Sequence, residues 1–391
     1  MNLLSIFLNA GRASRRIAAV AILPAVAAIA LAPLQARAAT EVTLRRAAPA
    51  SLLIGCAASS GDVRDPVTSA MIARQFNCLT ADNEMMPSML VDDAGHYDFT
   101  RGDLIAHFAR DHGLPFFGQM LVWNHITRDW FFKDAAGKPL PREQALKNLH
   151  DYIRTVVGHY RGLVKAWDVV NEAISDNDGE YLRETPALRA IGDDYIAKAF
   201  AFAHEADPDA KLYYNDYSIE LPAKRAKALR LLRSLRTAGV QVDAIGIQGH
   251  WHLEWPETAV ISDAIREFRD AGFPVMITEL DVDVLPRTTS GADLVSVEEG
   301  PNPYPRGLPD DMQRRLAARY REIFEAILRQ PGVTMITFWG PDDAHSWLND
   351  FPVKRRTNYP LLFDRKAEPK PAFYAVAEVL QAARRRAPPA R

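Results

Sequence analysis

Two glutamates in this 391-residue chain each close a short apolar run: Glu172 follows Trp167-Asp168-Val169-Val170-Asn171, and Glu279 follows Val275-Met276-Ile277-Thr278. Cleaving an acetal needs such a pair of carboxyl groups, one to protonate the departing oxygen and one to attack the anomeric carbon or activate water. Glu279 and Asp281 share a face at the two-residue period of a strand, as do Gln248 and His250 on the preceding run. An imidazole between two carboxylates would keep Glu279 ionised and oriented. Other run ends carry Asp82, Asn83 and Glu84, then Trp123 and Asn124, then Asn215, Asp216 and Tyr217, and finally Trp339 with Asp342 and Asp343. Amides suit hydroxyl groups and flat rings suit the C–H faces of sugars, so the set points to a carbohydrate. The chain has neither a Cys/His cluster at metal-ligand spacing nor a glycine-rich phosphate loop, so neither metal nor cofactor is expected. Taken singly, Glu172 also fits an acid in the first turn of a helix, and His250 an ordinary core histidine. Their coincidence carries the reading.

For these residues to meet, the runs must deliver them to one edge. Eight runs rich in β-branched or aromatic residues cover 52 to 56, 76 to 80, 115 to 122, 164 to 170, 211 to 215, 242 to 248, 274 to 280 and 333 to 339. Amphipathic stretches separate them, such as 223 to 236 and 315 to 328, whose charges read as a solvated outer face. Eight alternations of strand and helix predict the α/β class and a single (β/α)8 TIM barrel, with every residue above on its carboxyl-end rim. The Pro- and Gly-containing stretch 285 to 311 reads as a loop after the seventh strand, near the mouth.

Composition agrees with a soluble globular enzyme: 48% hydrophobic, 25% charged, and a formal charge of −2 that gives nucleic acid no electrostatic hold. The first 38 residues differ in kind. Arg12, Arg15 and Arg16 precede an uncharged stretch from Ile17 to Leu34, and Ala36-Arg37-Ala38 has the form of a signal-peptidase site. Pro24 and Pro33 argue for cleavage over a retained anchor, and Arg15-Arg16 leaves the twin-arginine route open beside the general secretory one. The expected organisation is therefore an export leader over 1 to 38, a catalytic barrel over 39 to 385 and a disordered tail over 386 to 391. An exported chain could join Cys56 to Cys78, although two buried small side chains is the simpler expectation.

The motifs Leu79-Thr-Ala-Asp-Asn-Glu-Met85, Trp167-Asp-Val-Val-Asn-Glu-Ala173, Leu212-Tyr-Tyr-Asn-Asp-Tyr217, Gly246-Ile-Gln-Gly-His250, Val275-Met-Ile-Thr-Glu-Leu-Asp-Val282, Ser346-Trp-Leu348 and Pro360-Leu-Leu-Phe-Asp364 together resemble glycoside hydrolase family 10, the retaining endo-1,4-β-xylanases, in order over about 50 to 380. The resemblance implies Glu172 as acid/base, Glu279 as nucleophile, Asn171 on the sugar 2-hydroxyl, and His250 with Asp281 behind the nucleophile, Gln248 nearby. It further implies Trp123, Trp339 and Trp347 as walls of the glycone side, Asn83 and Gln119 among the substrate-binding residues, and Tyr217 near the first aglycone subsite. The implied partner is a β-1,4-linked polysaccharide or oligosaccharide, acted on by a monomer with no lasting membrane attachment. Some positions depart from the family pattern. Met86 stands where the family has a glycone-binding lysine, Gln119 and Asn124 replace two histidines, Gly249 replaces a serine, and His345 stands where an aromatic residue is common. Two alternatives follow: a retaining β-glycosidase of the same fold for a different or decorated plant glycan, and a non-catalytic carbohydrate-binding barrel.

Overall fold

The computed structural model describes residues 42–124, 127–286 and 297–386; the expected leader and residues 387–391 of the expected tail lie outside them. Among the described residues nine strand segments are β1 (Leu53–Ala58), β2 (Cys78–Ala81), β3 (Phe116–Gly118), β4 (Val164–Asn171), β5 (Lys211–Asp216), β6 (Ala244–Ile247), β7 (His250–His252), β8 (Val275–Asp283) and β9 (Val333–Phe338). Their order is β6-β5-β4-β3-β2-β1-β9-β8-β7, and a further pairing of β6 with β8 closes the ring. Every pairing between these strands is parallel.

The count of nine hides an eight-stranded barrel. Ile245 of β6 pairs with Val275 of β8, and His250 of β7 pairs with Asp281 of the same strand. So β7 continues the sixth barrel strand after a break at Gln248 and Gly249. Gly249 has φ 87°, and a Cβ there would stand 3.0 Å from Ile277, so the break needs the one residue without that atom.

Helices cover the outside because their apolar residues recur at helical spacing. The helix Thr258–Asp270 buries Ile261, Ala264, Ile265 and Phe268, one stripe at i, i+3, i+4 and i+7. The outer charges are not all solvated as the sequence suggested. Lys224 and Arg225 of the helix Pro222–Thr237 and Arg319 of the helix Asp310–Leu328 are buried. Each finds partners: Lys224 at Asp176 and Asp216, Arg225 at Glu267, Arg319 at the carbonyls of His252 and Pro256. A buried cation requires such partners.

Inside the barrel, Leu53, Cys78, Phe117, Ala166, Tyr213, Ala244, Met276 and Met335 form a separate apolar cluster, one residue from each barrel strand. That layer is a packed floor, not a channel. Cys78 belongs to it, whereas Cys56 belongs to the outer core between sheet and helices. Both thiols are free, because the two side chains leave neighbouring strands on opposite faces.

Smaller corrections concern ends. The third run is strand only at β3, with Val122 making an isolated bridge to Val170. Of the stretch 285 to 311, Val297 is tied to Pro352 and Lys354, and Asp310 already begins a helix. Arg386 closes the helix Pro371–Arg386 and so is not part of a tail. No helix among the described residues is long and apolar enough to cross a membrane.

Candidate active site

Both glutamates are aimed by an extra residue in their strands. Between β4 and β5 the register steps from Asp168↔Tyr213 to Val170↔Tyr214, and between β8 and β9 from Ile277↔Ile336 to Leu280↔Phe338. Each step is a bulge, which turns the side chains beyond it. Glu172 lies just past β4 with φ 57°, a left-handed conformation costing a non-glycine residue on the order of 1–3 kcal/mol. Its N–H donates to the Asn215 carbonyl at 2.9 Å, and the Glu279 N–H donates to the Gln248 carbonyl at 2.7 Å.

The two carboxylates share one amide network. Glu172 Oε1 accepts from Gln248 Nε2 at 2.8 Å and from Asn171 Nδ2 at 3.3 Å, while Oε2 accepts from Trp123 Nε1 at 3.0 Å. Glu279 Oε1 accepts from Asn215 Nδ2 at 2.7 Å. Asn171 Oδ1 lies between, accepting from both Gln248 and Asn215 at 3.2 Å. Thr278 donates to Asn215 Oδ1 at 2.6 Å, which orients that amide toward Glu279. The other oxygen of Glu279 faces His250 Nε2 at 3.1 Å, and His250 Nδ1 lies 3.0 Å from Asp281 Oδ2. Trp347 Nε1 donates to the same Asp281 oxygen at 2.7 Å.

The environments of the two sides differ electrostatically. Burial, followed by the charge of Asp216, raises the Glu172 pKa to about 7 against the hydrogen bond from Gln248. Glu172 therefore holds a proton near neutrality. Burial alone would suppress the charge of His250, but Asp281 and Glu279 override it and raise its pKa to about 10. An imidazolium thus faces Glu279. Deeper in the barrel, burial and then the charge of Glu279 push the Asp168 carboxyl well above the usual carboxylate range.

Beside His250 lies a cleft of about 280 Å³ lined by Asp62, Asp82, Asn83, Trp339, His345 and Trp347. Burial, then the charges of Glu84 and Asp62, raise Asp82 to about 7. His345 pairs with Asp342 at 2.9 Å and with Asp62 at 3.4 Å. Met86 is buried, and Gln119 is buried with its amide donating to the Asp82 carbonyl at 3.3 Å; Gln119 braces the residue that borders the cleft. On the opposite side the Tyr217 hydroxyl meets Asp176 and Arg183, and Lys224 lies 3.4 Å from the centre of its ring.

The arrangement brings Glu172, Glu279, Asn171, Gln248, His250, Asp281, Trp123 and Trp347 into direct contact, with Trp339 beside His250 and Asn83 at the cleft wall. Asn215, Asp176, Arg183 and Lys224 also belong to the site, and sequence reasoning gave the last three no role. Asn215 stood at a strand end with the others; the rest carried no signal of period or motif.

This chain is similar to known proteins over most of its length. The family model for glycosyl hydrolase family 10 matches residues 43–379. A β-1,4-xylanase of Dictyoglomus thermophilum is 40% identical over 79% of this chain and 83% of its own length. An endo-1,4-β-xylanase A of Xylanibacter ruminicola is 37% identical over 90% and 97%. Among solved structures, an endoxylanase of the family from a sugarcane soil metagenome superposes with TM-score 0.80 at 36% identity, covering 84% of this chain and 97% of that one. The matched span takes in both strand-end glutamates and the amide network between them, and the chain belongs to glycosyl hydrolase family 10.

Proposed function

We propose that the protein hydrolyses internal β-1,4 bonds of xylan and xylo-oligosaccharides with retention of configuration. The observation that carries the reading is the contrast between the two buried glutamates: Glu172 accepts from the Gln248 amide and the Trp123 indole with its pKa raised to about 7, whereas Glu279 lies 3.1 Å from His250, which Asp281 holds from behind. Opposed environments of this kind separate the roles of acid and nucleophile. Glu279 attacks the anomeric carbon while Glu172 gives its proton to the departing glycosidic oxygen. Glu172, now a carboxylate, then takes a proton from the water that attacks the glycosyl-enzyme, and Glu279 leaves with its bonding electrons. Asn171 addresses the 2-hydroxyl, Asn83 a glycone hydroxyl, and Trp123, Trp339 and Trp347 the faces of the glycone rings. Tyr217 borders the first aglycone position.

Met86 removes a cation from the glycone side, and losing a charge-assisted contact to a hydroxyl costs about 1.5–3 kcal/mol. That departure is expected to weaken the hold on the glycone, and it is the one point that speaks for the second reading, a different or decorated plant glycan handled by the same chemistry. The leader over 1 to 38 supports export of the enzyme to where such polymers are met.

The deciding experiment is time-resolved product analysis of residues 39–391 on xylan, xylo-oligosaccharides and cello-oligosaccharides. Xylobiose and xylotriose appearing from xylan, with the β-anomer formed first by NMR, fit the proposal; α-anomer first, or cleavage confined to another glycan, refutes it. The pH profile gives a second check. Glu172 must carry its proton, so kcat/KM falls as pH rises through about 7. Asp82 loses its proton over the same range, so KM for long glycones changes there as well.

A further inference from the structure

The strained Glu172 is held on its C-terminal side by groups that make no contact with either catalytic carboxylate. On the far side, the N–H groups of Ala173 and Ile174 both donate to the Tyr214 hydroxyl, at 2.9 and 3.1 Å. That hydroxyl donates in turn to Asp216 Oδ2 at 2.5 Å. Asp216 pairs with Lys224 at 2.9 Å, and Lys224 pairs with Asp176 at 2.8 Å. Asp176 accepts from Arg183 Nη2 at 3.0 Å. Arg183 closes the circuit, because its Nε donates to the carbonyl of Glu172 itself at 3.1 Å.

We infer that this ring of Tyr214, Asp216, Lys224, Asp176 and Arg183 is a positioning device that holds the Glu172 carboxyl at the glycosidic oxygen, with Tyr214 as its central member. Tyr214 and Asp216 are fully buried, so neither can touch a sugar and any effect passes through Glu172. A phenol is needed at Tyr214 because it alone accepts from two successive N–H groups and donates onward. With phenylalanine there, those two N–H groups lose their acceptor, and the left-handed conformation loses one of the holds that offset its strain. A proton donor displaced by about 1 Å forfeits rate on the scale of 100-fold.

The inference rests on Glu172 being the acid/base, and the experiment separates the two claims. kcat/KM is measured for Tyr214→Phe, Asp216→Asn and Glu172→Ala on xylotriose and on 2,4-dinitrophenyl β-xylobioside, whose leaving group needs no proton. The measurement is made at about pH 5.5, where Glu172 carries its proton. Tyr214→Phe is expected to lose about 100-fold on xylotriose and under about 3-fold on the aryl substrate, and added azide, which attacks without a base, is expected to raise its kcat. A purely structural role lowers both substrates alike. Asp216→Asn gives the same split, and it decides the matter if Tyr214→Phe does not fold. If Glu172→Ala shows the split and the two ring variants lose equally on both substrates, or lose nothing, the positioning role is refuted. If Glu172→Ala shows no split, the acid/base assignment fails and the positioning role with it.

Discussion

Glu279→Ala is expected to lower kcat on xylo-oligosaccharides by on the order of 10⁵-fold or more, the scale on which removing a covalent nucleophile acts. The fold is expected to survive, since His250 keeps its pairing with Asp281 at 3.0 Å and Asn215 keeps its contact to Asn171 at 3.2 Å. A loss of that size with an unchanged circular dichroism spectrum separates chemistry from collapse. The stereochemistry of rescue then identifies the missing group. With Glu279 gone, azide attacks an activated β-xylobioside from the vacated side and gives the α-azide; with Glu172 gone, azide attacks the glycosyl-enzyme and gives the β-azide. A β-azide from Glu279→Ala would reverse the assignment. Residual turnover near the wild-type rate would end it.

His250→Ala is expected to have the largest effect on stability among the site residues. It leaves Glu279 and Asp281 as buried carboxylates without their shared cation, and breaking a buried charge pair costs about 3–5 kcal/mol. The sign of the pH dependence follows from the direction of the shift. The folded-state pKa is raised from the ordinary value of 6.5 to about 10, so the stabilisation is fully present below about pH 6.5 and is lost as pH rises through about 10. Urea unfolding of the wild type and of His250→Ala across pH 6 to about 10 should therefore show a gap that is widest at the low end of that range and closes toward the alkaline end. A gap independent of pH would mean that the imidazole is neutral in the folded protein.

The sequence made the barrel legible because eight buried parallel strands are written as eight β-branched runs, and nothing else in a chain of this length repeats that way. The acids and amides were legible for the same reason: a strand's last residue must face the rim. Three things were hidden. The break at Gln248 and Gly249 looked like one continuous run, since only φ at Gly249 reveals it. Lys224 was hidden by its neighbours, for in Ala-Lys-Arg-Ala-Lys a buried cation and a solvated one look alike, and only Asp176 and Asp216 across the gap distinguish them. Arg183 comes from the irregular stretch between β4 and the next helix, where no period constrains a side chain. Gln119 shows the converse limit: the family resemblance offered it to the substrate, but its amide is taken up by the Asp82 carbonyl.

The bulges in β4 and β8 matter to anyone transplanting this chemistry. One adds a residue to its strand ahead of Glu172 and the other adds one in the step that contains Glu279, so the site is encoded in chain length as well as in residue type. Copied onto an idealised barrel with perfectly regular strands, the same side chains would arrive half a period out, and Asn171 and Glu279 would be handed to the helix layer instead of the cleft. A graft of this site has to carry its two irregularities along with its residues, and a scan by substitution alone would never reveal that they are there.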